Sequence, residues 1–315
     1  MKILLTGGAG YLGSVLTPYL LRDGHHVTVL DNFLYEQTSL LDVCHHERLT
    51  VVAGDARDHA LIRVLLRDVD VILPFACLTG MPICNLFPKE AEEIILGAVQ
   101  TMLLYRSKEQ RILYPTTNSG YGVGQTGIYC TEETPLNPIS LYGKLKVQAE
   151  QTILDAGNSV SLRLATVFGV SPRLRLDLLV NDFVYRAYHD KHLELFEADF
   201  KRNYIHIRDV ARAILHTLYH FTDMNGNAFN LGLSDANLSK RELCEAIKKH
   251  IPDFVFEENA EGKDPDQRNY IVSNEKIERT GFVPIFSLDN GITELIKAFQ
   301  IITVTSENRK QFFNA

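Results

Sequence analysis

The eight residues TGGAGYLG, Thr6 to Gly13, constrain the fold more than any other stretch of this chain. They join an apolar run, KILLT, to an amphipathic segment over 11–23, and they place Gly7, Gly10 and Gly13 at three-residue intervals. That spacing lets the backbone turn tightly from a strand into a helix. The N–H groups of the turn, with Tyr11 and Leu12 opening the helix, can then approach a diphosphate. A tight βα turn without a ligand would use the same glycines, so the weight of the motif depends on the rest of the chain.

Beyond the turn the chain alternates. HVTVLD, LTVVAG, VDVILPFA, RILYPT and SVSLRLAT read as strands, and segments 58–67, 88–107 and 141–156 have helical length and amphipathic spacing between them. Strands alternating with helices imply parallel βαβ units. The expected class is therefore α/β, a doubly wound parallel sheet covered on both faces. This core is expected over 1–165, with a contribution from about 200–232. Residues 166–315 are less regular, with helices expected at 177–188, near Arg208, at 239–250 and at 288–300, and a strand at AFNLG. They read as a smaller C-terminal lobe built from insertions, and the tail from about 301 as a last helix or a frayed end.

Composition excludes several classes. With 315 residues, 45% of them hydrophobic, the chain can bury a sizeable core. Thirty-two basic against 39 acidic residues leave a formal charge of −7, which attracts neither nucleic acid nor anionic membranes. Cys44, Cys77, Cys84, Cys130 and Cys244 are scattered and odd in number, and the histidine pairs lack a carboxylate or cysteine at ligand spacing. Reduced thiols in a cytoplasm are expected, with no metal. No apolar run approaches the length of a membrane span, and the opening MKILLTGG reads as a strand, not as an export signal.

Asp31 closes the second strand in VTVLDN. A carboxylate there, with the adjoining Asn32, can accept hydrogen bonds from an adenosine ribose and would repel a 2′-phosphate, so NAD is favoured over NADP. Asp55, with Ala56 beside it in GDARD, is a candidate adenine contact or a helix cap. Further along, YGKLK sets Tyr142 and Lys146 four residues apart on one helix face. A free tyrosine titrates near ~10, so service as a base near neutrality requires roughly 4 kcal/mol of phenolate stabilisation, for which a nearby ammonium and a bound nicotinamide are the candidate sources. Thr117, at the end of the strand before that helix, could share a hydrogen bond with the substrate oxygen and Tyr142.

Taken in this order, the glycine turn, Asp31, Thr117 and the Tyr142/Lys146 pair resemble the extended short-chain dehydrogenase/reductase family, above all its nucleotide-sugar epimerases and dehydratases, over nearly the whole length. The resemblance implies a Rossmann core, NAD as cofactor and a nucleoside-diphosphate sugar as partner. Tyr142 would be the base, Lys146 would hold the nicotinamide ribose and lower the phenol's pKa, and Thr117 would be the Ser/Thr member. FACL matches the strand end beside the cofactor, which brings in Phe75 and Ala76. FKRNYIHIRDVA carries over Arg202 as a diphosphate ligand and Asp209 as a structural carboxylate. Asn181 and Arg268 are further candidates for the nucleotide sugar, each with a plain surface residue as the alternative.

Three positions depart from the family pattern: Thr79 stands where lysine is frequent in hexose 4-epimerases, Ile95 where the middle helix often has asparagine, and Thr166 near another such asparagine. Members that eliminate water carry an Asp-Glu pair directly after the threonine, because elimination needs an acid and a base beyond hydride transfer. Here the pair is Asn118 and Ser119, read as substrate-binding or as simple turn residues. The expectation is therefore a 4-epimerase acting through a transient 4-keto sugar. A ketosugar reductase or 4,6-dehydratase, and a non-catalytic dinucleotide sensor, are the alternatives. Relatives pair two long helices per subunit, so the resemblance also implies a homodimer through 88–107 and 141–157.

Overall fold

A computed structural model describes residues 1–259 and 268–314. Seven strands form the main sheet: β1 Lys2–Thr6, β2 His26–Asp31, β3 Leu49–Ala53, β4 Val71–Pro74, β5 Arg111–Thr117, β6 Ser159–Leu164 and β7 Ala228–Leu231. They lie in the order β3-β2-β1-β4-β5-β6-β7, with every pairing parallel. β4 and β6 are both buried along their whole length: VILP is an unbroken apolar run, as a strand covered on both faces requires, whereas SVSLRL alternates because its buried Ser161 and Arg163 are paired with Glu150. The chain leaves β1 toward β3 and then returns to lay β4 on the other side of β1. The direction of winding reverses there, and the carboxyl ends of β1 and β4 open a crevice.

Helix α1, Tyr11–Arg22, starts at Gly10, whose lack of a side chain leaves the first turn uncapped. Helix α2, Leu141–Asp155, is capped by Ser140, whose hydroxyl accepts from Gly143 N at 3.1 Å. The expected single helix at 88–107 is corrected. It is two α-helical pieces, Pro88–Glu92 and Ala98–Tyr105, joined by a π-turn over Glu93–Gly97. The extra residue of a π-turn rotates the register. Ile94 thereby faces the crevice while Ile95 is 2% exposed in the core, where an asparagine would have no place.

The remaining strands make three small sheets. Thr166–Phe168 pairs with Lys201–His206, which also pairs with Asn237–Ser239; His192–Leu195 pairs with Val255–Glu258; and Tyr129–Cys130 pairs with Ile271–Val272. The last pairing takes one strand from each half of the chain. A single apolar cluster runs from Ile3 and Leu5 through Phe168 and Tyr204 to Leu295 and Phe299, so the two halves share a core. Asp209 helps to hold them together. Fully buried, it accepts hydrogen bonds from Ile285 N and Phe286 N and pairs with Arg212, a structural role as expected.

The tail is neither a helix nor frayed. Beyond one 3₁₀ turn at Arg309–Gln311 it is irregular but anchored: Leu176 N donates to Phe312 O at 2.9 Å, Asn314 Nδ2 to Thr79 O at 3.2 Å, and Lys310 pairs with Glu36 at 2.7 Å. Among the described residues no helix is long and apolar enough to cross a membrane.

Candidate active site

The crevice is a cavity of about 640 Å³, within the range of small-ligand sites. At one end it is lined by the glycine turn, with Gly7, Gly10, Tyr11, Leu12 and Gly13 all contributing. Asp31, Asn32 and Ala56 come next, and Phe75 and Ala76 line it after β4. Thr117, Ser119, Tyr142 and Lys146 lie further along, and Arg202 and Arg268 belong to the same wall system. Residues from both halves of the chain thus converge on one space.

The dinucleotide end fits the cofactor on its own geometry. A Cβ on Gly13 would lie 2.4 Å from Gly7 O, and one on Gly7 would lie 2.7 Å from Ala76 N, so both positions must be bare for the turn to close. The uncapped start of α1 leaves main-chain N–H groups to receive phosphate oxygens. Asp31 is 8% exposed, and its carboxylate accepts from Ala9 N, Phe33 N and Gln37 Nε2 at 2.9, 2.9 and 3.1 Å. A carboxylate has about four acceptor positions, so capacity remains for a ribose hydroxyl. Burial raises its pKa, and the two backbone donors work against that.

Helix α2 is locked to the sheet by a buried pair. Glu150 accepts from Arg163 Nη2 at 2.7 Å and from Ser161 Oγ at 2.7 Å, both residues standing on β6. This fixes the rotation of α2 and with it the direction of Tyr142 and Lys146, which precede Glu150 by roughly two turns and one turn. Lys146 is 4% exposed; its Nζ donates to Pro115 O at 2.5 Å and lies 4.0 Å from the centre of the Tyr114 ring. Burial pulls its pKa down to about 8, with Cys77 and Glu150 opposing. Tyr142 is pushed well above the usual tyrosine value by burial first, then by the Cys77 and Cys84 thiols, with Arg175 and Arg268 in opposition. The expectation that Lys146 makes the phenol acidic is therefore not met by the polypeptide alone, because the ammonium is itself desolvated and turned toward a carbonyl.

This has a measurable consequence for Lys146. Its folded pKa lies below its usual 10.5, so above about pH 8 the folded state releases a proton that the unfolded chain keeps until about 10.5. The burial penalty is full below pH 8 and disappears as pH rises toward 10.5. In the cofactor-free protein, the stability of wild type relative to Lys146→Met is expected to rise over that window, by at most roughly 3 kcal/mol. Urea unfolding of both proteins at pH 7.5 and 9.5 reads the difference. A flat difference would place the lysine in water.

Thr117 and Ser119 form a hydroxyl relay. Thr117 Oγ1 donates to Ser119 Oγ at 2.9 Å and accepts from Ser119 N at 3.1 Å, while Arg268 Nη1 donates to the same Ser119 Oγ at 2.5 Å. Two protein donors on the serine oxygen leave its own proton to point elsewhere.

Three expected contacts are corrected. Asp55 does not line the cavity. Its carboxylate is forked onto Arg57 at 2.7 and 2.9 Å, which lowers its pKa, and the cap of the following helix is Asp58. Asn118 is 1% exposed, lies behind Thr117 and Ser119 outside the lining, and both its side-chain polar atoms lack a partner among the described residues. Asn181 is neither a ligand contact nor a surface residue: fully buried, it accepts from Gly169 N at 3.0 Å and donates to Arg175 O at 2.8 Å, bracing the loop over 169–178.

That loop holds what sequence reasoning missed. Arg173 and Arg175 line the cavity with Asp177 and are 2% and 6% exposed. The alternating RLRLD was a usable signal, two cations two residues apart on one side of an extended segment. Asn314, from the tail, also lines the cavity.

Residues 3–232 match the NAD dependent epimerase/dehydratase family. The chain is 26% identical over 275 residues to the UDP-glucose 4-epimerase of Lactobacillus helveticus, covering 79% of this chain and 81% of the relative. It is 27% identical over 316 residues to UDP-glucuronic acid decarboxylase 1 of Arabidopsis thaliana, covering 95% and 70%. Among solved structures it superposes with a TM-score of 0.84 on DesIV, a dTDP-glucose 4,6-dehydratase from Streptomyces venezuelae with NAD and TYD bound. The two are 25% identical, and 99% of each chain is covered.

Proposed function

The chain belongs to the NAD dependent epimerase/dehydratase family, and from that premise we propose that it is an enzyme that inverts C4 of a nucleoside-diphosphate hexose through a transient 4-keto sugar. The observation that carries this reading is the make-up of the cavity wall around Thr117. Among the described lining residues the carboxylates are Asp31, Asp177 and Asp182, and none follows Thr117, where elimination or decarboxylation chemistry would call for one. Asp31 is taken up at the ribose end, Asp177 by Arg175 and Asp182 by Arg186. Relatives of known name run epimerisation, decarboxylation and dehydration, and the absence of a carboxylate beside Thr117 among the described residues supports the first of these.

NAD, when bound, supplies a reversible hydride acceptor. The rest is done by the chain. Tyr142 takes the proton of the 4-hydroxyl and later returns one to the ketone oxygen, Thr117 orients the 4-hydroxyl by accepting from it while its own proton goes to Ser119, and the Lys146 ammonium, together with the charge of the bound cofactor, favours the phenolate. Arg202, 3% exposed, and Arg268 provide the cationic wall for the substrate diphosphate. A second copy of the chain is part of the proposal, docked through Ala98–Tyr105, whose Leu104 is 68% exposed, and α2.

Purified protein, given UDP-, GDP-, CDP- and dTDP-hexoses without added cofactor, is expected to produce the C4 epimer of one of them, visible in the ring and anomeric proton resonances. A 4-keto-6-deoxy product, or stoichiometric consumption of added NADH, would replace epimerisation by dehydration or reduction. Light scattering on the same preparation should give twice the chain mass, and a monomer would remove the dimer.

A further inference from the structure

Arg173 is a buried cation with donors left over. Its guanidinium lies 4.3 Å from the centre of the Tyr35 ring, and Nη2 has a marginal 3.4 Å contact with Phe313 O. Nε and Nη1 are both buried and lack a hydrogen-bond partner among the described residues, although the side chain lines the cavity. Nor, among the described residues, does it have a carboxylate of its own. Asp177 is forked onto Arg175 at 3.0 and 2.8 Å, and Asp31 already receives Ala9 N, Phe33 N and Gln37 Nε2. Burial, and next the charge of Arg175, pull the Arg173 pKa down to about 10. A buried guanidinium in this condition is costly unless an anion completes it.

The position of the loop says which anion. Ser171 Oγ donates to Tyr11 O at 2.8 Å and shares a hydrogen bond with Ser14 Oγ at 2.9 Å, Tyr11 Oη donates to Gly169 O at 2.8 Å, and Arg173 N donates to Ser171 Oγ at 3.2 Å. The segment carrying Arg173 is thus tied to the first turn of α1, where the main-chain donors for a diphosphate are exposed. Arg175 Nη2 reaches Thr79 O at 3.3 Å, so Arg175 stands at the position where the family pattern leads one to expect a lysine.

We infer that Arg173 is a phosphate-binding residue for the dinucleotide, completing with its Nε and Nη1 donors the diphosphate site that the glycine turn begins. The inference rests on the NAD dependence of the family and not on which sugar reaction is run, so its test contains no sugar.

Cofactor-stripped wild type, Arg173→Gln and Arg173→Lys are titrated calorimetrically with NAD, ADP-ribose, adenosine, UDP and dTDP. In Arg173→Gln, NAD and ADP-ribose are expected to weaken about tenfold or more, as fits loss of hydrogen bonds to a charged group. Adenosine, which has no phosphate, is expected to stay within about twofold of wild type. Arg173→Lys, which keeps the charge and loses the planar fork, should fall between. Equal weakening of adenosine would make Arg173 a prop for Tyr35 and overturn the inference. So would unchanged ADP-ribose affinity, and so would weakening confined to UDP or dTDP, which would give the residue to the substrate. If Arg173→Gln does not fold, Arg173→Lys decides by the same contrast between ADP-ribose and adenosine.

Discussion

Tyr142→Phe is expected to lower turnover of the proposed epimerisation by about three orders of magnitude, within the span of general acid–base catalysis, while NAD stays bound. The substitution removes one oxygen. The ring keeps its place, because α2 is oriented by Ser140 at its start and by Glu150 on Arg163 and Ser161, and none of these contacts involves the phenol. Loss of the oxygen removes the proposed base, and among the described lining residues no carboxylate beside Thr117 replaces it. The starting point makes the effect larger. Burial, with Cys77 and Cys84 beside it, holds the phenol above its usual pKa in the polypeptide, so the positive charge that makes it acidic has to be assembled in the bound state. Removing the phenol removes the group on which all of that acts. Turnover by proton NMR and NAD released on denaturation, measured on one preparation, check both halves. A loss smaller than tenfold with NAD in place would take the base away from Tyr142.

The parts of this site that were legible in the sequence are those whose geometry is fixed within a few residues. A strand, a glycine turn and a helix start place Gly7, Gly10 and Gly13 whatever the rest of the chain does. Helical spacing places Tyr142 and Lys146 on one face, and the end of β5 places Thr117. Residues whose direction depends on a distant partner were not legible. Asp55 turns to Arg57 and Glu93 lies behind it, Asn118 is turned into the interior by the 3₁₀ turn that begins there, and Asn181 is consumed by a loop that the sequence shows only as irregular. The same blindness hid Arg173 and the tail, which meet across 140 positions at Phe313. Residues 88–107 failed for another reason: periodicity does not resolve a single extra residue, and the π-turn at Glu93–Gly97 changes which isoleucine reaches the cavity without altering the apolar count.

Gly13→Ala should be the most damaging single methyl in the chain's first thirty residues, costing about 2–3 kcal/mol of stability and most of the NAD affinity. The added Cβ would stand 2.4 Å from Gly7 O, 2.5 Å from Gly8 Cα and 2.8 Å from Gly8 C. All three are main-chain atoms, so no side chain can swing aside. The turn cannot retreat either, because Gly7 is held at φ +70° with Ala76 N and Phe75 C packed against its far side. α1 must therefore lift away from the end of β1, which strains the Gly10 N to Gly7 O bond at 3.1 Å and displaces the N–H groups that face the phosphates. Gly10→Ala makes the contrast: its Cβ would meet only Gly7 O, at 3.2 Å, a contact that a shift of a few tenths of an ångström relieves, so a smaller loss is expected. Thermal unfolding with and without saturating NAD separates the two effects. For Gly13→Ala both the midpoint and its upward shift on adding NAD should fall. If Gly10→Ala proved the more damaging of the pair, or if Gly13→Ala kept its NAD-dependent shift, close packing of α1 on the turn would not be what shapes the diphosphate site.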